Sequence, residues 1–168
     1  MGDYNNLDGA VMVPTTDGDI YLRSHIPPRI KAEFETWMEG YARRRVFDLR
    51  PGGPAPPDQQ MDAEEHQASL DNVTELVGAG KFRWGAKACR EALGDIPGIV
   101  QMVVLLSQSA DRRMNLKQGL TQEKVLNWLD MDSPNGGPTW MQVGAVIKQI
   151  IKDTPNFMSP PTRGMTAD

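Results

Sequence analysis

The sequence predicts a mainly α fold: a small helical bundle preceded by a β-hairpin and one long amphipathic helix, with an extended C-terminal arm. Three observations carry that prediction. Apolar residues recur at three- and four-residue spacing from Ile30 to Ile151, as helices with one buried face require. Clusters of Pro and Gly at 51–57 and 133–138 punctuate these runs where a helix has to stop. Short β-prone runs are confined to the first 26 residues.

Ala10-Val11-Met12-Val13 and Ile20-Tyr21-Leu22 are the two β-prone runs, separated by Pro14 to Asp19. Asp17-Gly18 is a good turn dipeptide because Gly accepts positive φ. A two-stranded hairpin is marginal alone, so it needs something to pack on.

The first helix is expected to start at Pro27-Pro28, where a missing N–H costs nothing, and to run to about Leu49. Ile30, Phe34, Trp37, Met38, Tyr41, Val46 and Leu49 follow helical spacing. Glutamates come early and Arg43-Arg44-Arg45 late, which suits the helix dipole, and Glu39–Arg43 is an expected i,i+4 pair. Four prolines and two glycines within Pro51–Pro57 then predict an extended linker or exposed loop.

A second helix is expected over Asp58 to Val77, closed by Gly78-Ala79-Gly80. A short third one covers about Gly85 to Leu93. The fourth, Pro97 to about Ser109, is apolar nearly all round, the mark of a central buried helix. Thr121 is the expected N-cap of a fifth helix, Gln122 to Met131, with Leu120 and Val125 as a hydrophobic staple. Thr139 should cap the sixth, Trp140 to about Asp153. By segments, the chain reads as an N-terminal arm over 1–26, the long helix over 27–50, the linker over 51–58, a bundle domain over 59–153 and a tail over 154–168.

With 39% hydrophobic and 24% charged residues, the 168-residue chain resembles a folded domain and not a disordered one. Its net charge of −4 argues against general nucleic-acid binding, which needs a basic excess. Cys89 is the single cysteine, so no intramolecular disulfide can form, which fits a reducing compartment. Met1 to Asn6 has neither the basic start nor the apolar run of a secretory signal. The longest apolar stretch, Ile96 to Leu106, spans roughly half of a ~30 Å hydrocarbon core. No membrane span is expected.

No catalytic, metal or cofactor site is expected either. His25, His66 and Cys89 lie in separate segments with no metal-ligand spacing. Cys89 sits among alanines on a packed helix, where a thiol is inert. Gly78-Ala79-Gly80-Lys81 follows a helix, whereas a phosphate cradle follows a strand. Asp62, Glu64 and Glu65 answer a helix N-terminus.

Two features of the first helix bear on partners. Arg43-Arg44-Arg45, with Arg50 beyond, would serve a nucleic-acid surface, yet three consecutive residues spread over about 200° around a helix and make no single patch. Phe34, Trp37 and Tyr41 form an aromatic stripe, which either folds back onto the bundle or stands exposed as a partner surface. The second reading gives the candidate partner-binding set Phe34, Trp37, Met38, Tyr41 and Arg44.

The segment Arg29-Ile30-Lys31-Ala32-Glu33-Phe34-Glu35-Thr36-Trp37-Met38-Glu39-Gly40-Tyr41-Ala42-Arg43-Arg44 resembles the K-x-x-F-E-x-W-L-E-x-x-A-R helix of small phage-encoded proteins. Met38 stands where that pattern has leucine. Gly80-Lys81-Phe82-Arg83-Trp84-Gly85 is similar to their G-x-(Y/F)-x-(F/W)-G step, and Ala92-Leu93 to Gly98 to their A-L-x-x-x-x-G turn. The similarity spans about residues 28–152. It implies a non-enzymatic part in virion or tail morphogenesis, as a minor structural component or assembly chaperone. The implied partners are other virion or tail proteins, or a second copy of the chain, with no small-molecule substrate. The implied location is the host cytoplasm or the virion. The alternative is a helical regulatory protein binding nucleic acid through Arg43–Arg45.

Overall fold

The computed structural model describes residues 9–15, 18–130 and 140–154. Among them the chain forms strands β1 (Ala10–Thr15) and β2 (Gly18–Arg23). Helices α1 (Pro28–Asp48), α2 (Ala63–Gly78), α3 (Lys87–Ala92), α4 (Ile96–Met114), α5 (Gln122–Asp130) and α6 (Trp140–Lys152) follow. The mainly α class with an N-terminal hairpin is therefore the observed one. The expected turn at 133–138, the Thr139 cap and the arm after Pro155 lie outside the described residues.

Two compact units are present, and they are not segments in chain order. One is built from residues up to Phe34 together with those from Glu91 onward; the other is Glu35–Arg90. Residues 51–58 therefore fall inside the second unit.

In the first unit β1 and β2 pair antiparallel, from Ala10 opposite Arg23 to Thr15 opposite Gly18. The strands reach further toward the turn than the sequence predicted. Pro14 lies within β1, opposite Asp19, as a strand at a sheet edge allows. Gly18 takes the positive φ of 108° that other residues resist. Val11, Val13, Ile20 and Leu22 are buried. The support that so small a hairpin needs is α4, which packs against β2, α5 and α6. Its side chains from Met102 to Ser107 are all buried, as the all-round apolar pattern predicted. The helix continues past Ser109 to Met114, because nothing in Ala110–Met114 breaks it. Asn115 ends it in the left-handed conformation, φ 57°.

Three polar side chains help to fix this unit. The Gln118 amide acts as a surrogate strand along β2: Oε1 accepts from the Tyr21 N–H (2.6 Å) and Nε2 donates to the Tyr21 carbonyl (2.9 Å). Thr154 was expected to open the tail, but it is buried. Its hydroxyl accepts from the Ile26 N–H (2.9 Å) and donates to the Ile150 carbonyl (2.8 Å). Thr121 caps α5 as predicted, accepting from the Lys124 N–H at 3.2 Å, with Leu120 and Val125 both buried.

In the second unit the Pro/Gly segment is the exposed loop of the two expected alternatives, and not the extended linker. Its ends meet where the Met61 N–H donates to the Leu49 carbonyl at 2.7 Å. Gln60 fills the loop, accepting from the Gly52 N–H and donating to the Gly53 and Ala55 carbonyls. One 3₁₀ turn, Pro57–Gln59, occupies the stretch predicted as helix. Helix α2 starts later, at Ala63, because Asp62 and Glu65 form a reciprocal capping box there.

Candidate interaction surface

The part of α1 from Glu35 to Asp48 carries Trp37, Tyr41 and Phe47. Trp37 and Tyr41 are one turn apart, so their rings meet on one face. They stack with centroids 5.0 Å apart and planes inclined by 20°. Arg45, a further turn on, places its guanidinium 5.8 Å from the Tyr41 ring centre. A second pair closes the helix end: the Arg50 guanidinium lies 3.8 Å from the Phe47 ring centre, and Arg50 Nη1 donates to the Phe47 carbonyl at 3.0 Å. Both arginines are held by cation–π contact, which removes much of their rotamer freedom.

The structure divides the residues the sequence proposed. Phe34 is fully buried and Met38 is 4% exposed. Neither can meet a partner. Three- and four-residue spacing marks a helical face without saying how far around the helix burial extends. Trp37 and Tyr41 are half-buried, while Arg43, Arg44 and Arg45 are exposed. The expected Glu39–Arg43 pair is not formed; the ion pair on α1 is Arg29–Glu33, at 3.1 Å. Phe47, 50% exposed, is the largest apolar group that the sequence reading missed. It lies off the stripe, and its signal was an aromatic residue between the arginine run and Arg50.

Short contacts explain why the motif residues stand where they do. The Glu35 carboxylate accepts from the Trp84 N–H at 2.6 Å, tying the F-E-x-W segment to the Gly80–Gly85 step. Gly80 and Gly85 take positive φ, 72° and 85°, which turns that step twice. At Gly98 a Cβ would fall 1.9 Å from the Ala92 carbonyl oxygen, so the A-L-x-x-x-x-G turn has room for glycine alone.

Burial pushes the Cys89 thiol up to about 11, which leaves little thiolate at neutral pH. Among the described residues no three His, Cys, Asp or Glu side chains gather as a metal site. No described helix is long and apolar enough to cross a membrane. The chain matches no known protein family, no curated protein and no solved structure.

Proposed function

We propose that this chain is a non-enzymatic assembly protein of a phage virion or tail, a minor structural component or assembly chaperone, acting by protein–protein contacts through α1. The observation that carries this reading is the ordered pairing of aromatic and arginine side chains along α1 and at its end: Trp37 stacked on Tyr41, Arg45 over Tyr41, and, off that stripe, Arg50 over the half-exposed Phe47. Trp, Tyr and Arg dominate binding hot spots. Groups already held by stacking lose less freedom on docking, about 0.5–1.5 kcal/mol less for each side chain that need not be immobilised. Arg44, exposed one turn after Tyr41, supplies a charge at the rim. The phage setting comes from the resemblance over residues 28–152, and the place of action would be the host cytoplasm or the particle.

Light scattering of the purified protein across a concentration series, alone and mixed with purified tail or capsid proteins, tests it. A heavier species in at least one series is expected; a monomer in all of them would overturn the proposal. The alternative, nucleic-acid binding through Arg43, Arg44 and Arg45, is favoured by their common exposure. It requires affinity to fall steeply with salt, against a net charge of −4.

A further inference from the structure

We propose that the junction between the end of β2 and the last turn of α4 binds an oxyanion of the phosphate class, held by Arg23, His25 and Arg112. This site belongs to the first unit and does not rest on the reading of α1. Arg23 is the last residue of β2, His25 follows two positions on, and Arg112 and Arg113 lie in the last turn of α4. Packing of α4 on β2 brings groups distant in sequence together. Arg23 Nη2 lies 3.1 Å from His25 Nε2.

Three observations point to an anion. The Arg23 Nε–H is buried and meets no acceptor among the described residues, whereas buried donors are normally satisfied. Among the described residues, the charged groups acting on the pair are cations. Burial, then Arg113 and Arg112, hold the Arg23 guanidinium below its usual value. Burial, then Arg23 and Arg113, do the same to His25. The carboxylate on the same turn of α4, Asp111, is engaged elsewhere, accepting from the Gln118 N–H at 3.3 Å and Nε2 at 3.0 Å. Asp19, on β2, sits at the strand's other end opposite Pro14.

The geometry sets the chemistry. With the imidazole neutral, His25 Nε2 accepts from Arg23. An oxyanion would take over the guanidinium donors, and the freed imidazole would then gain a proton and donate as well. Planar guanidiniums suit tetrahedral oxyanions because they offer paired N–H groups. Binding should therefore take up a proton and strengthen as pH falls through the His25 titration.

The test is an NMR titration of the His25 ring in the full chain with inorganic phosphate, against sodium chloride at matched ionic strength. His66, on α2, serves as internal reference. The expected result is a saturable rise of the His25 pKa by about one unit, a tenfold preference for the protonated site, with His66 and the chloride series unchanged. Arg112→Gln, a change at an exposed position, should abolish the saturable part and leave the fold intact. A short single-stranded oligonucleotide is titrated in parallel. Binding more than about tenfold tighter than phosphate would assign the phosphate to a nucleic-acid backbone, and equal binding would assign it to the free ion. Absence of a saturable shift with both, or a shift that Arg112→Gln leaves untouched, would overturn the proposal.

Discussion

At the scale of single residues, buried polar and backbone contacts hold the first unit. Gln118 serves both backbone groups of Tyr21 across 97 positions. No local pattern in the sequence announces such a pairing, and none was read there. Removing it by Gln118→Ala leaves β2 with an unserved edge and should cost about 1–3 kcal/mol in denaturant unfolding. Gly98→Ala sets a methyl group against the Ala92 carbonyl, a backbone atom that cannot swing aside. A loss of about 3 kcal/mol or more is expected by the same measurement. The sequence showed this glycine as part of a turn but not the close approach that demands it.

Cys89 gives a prediction in pH. Its thiol is raised from 9.0 to about 11 by burial in the folded state. The unfolded chain therefore loses this proton first as pH rises, and the folded chain binds more protons between the two values. Stability should fall over that window, by on the order of 2 kcal/mol. In a Cys89→Ala variant this part of the decline should be absent, whatever the alanine costs at neutral pH. Denaturation midpoints at pH 8 and pH 10.5 check it.

Helices were legible wherever periodicity and capping agreed. Helix α4 was marked by its all-round apolar run, and α5 by Thr121 with Leu120 and Val125. The start of α2 was misplaced because Asp58 and Asp62 both look like caps, and only Asp62 has its glutamate three residues on. Asp62→Ala removes the capping box and should lower stability by about 1 kcal/mol, read from the urea midpoint. The stripe on α1 was legible as a face, but the sequence could not divide it. Burial of Phe34 and Met38 beside half-buried Trp37 and Tyr41 depends on neighbours outside the helix. Phe47 and Arg50 stand outside the stripe, so periodicity passed over them.

At the scale of the molecule, two units interleave in the chain. A Pro/Gly cluster ordinarily marks a boundary between domains, yet here Gln60 and the Met61–Leu49 hydrogen bond fold it into a closed loop. The joining of the hairpin to α4 was equally hidden, because sequence separation says nothing about which elements meet. The first unit holds most of the buried apolar side chains, whereas α2 has Val73 as its buried residue. Amide exchange should therefore be slowest at Met102–Leu106 in α4 and orders of magnitude faster along α2.

The proposed docking surface is made by the aromatic–arginine pairs along α1 and at its end. The test is how tightly the protein enters the heavier species expected in light scattering, for the wild type and for the double variant Arg44→Glu, Phe47→Ala. Both positions are exposed, so circular dichroism should match the wild type, and loss of the Phe47–Arg50 contact should lower the thermal midpoint only slightly. A loss of affinity of about tenfold or more is predicted, since truncating a hot-spot residue costs about 2 kcal/mol or more. A folded double variant that associates as tightly as the wild type would overturn the docking role of these side chains.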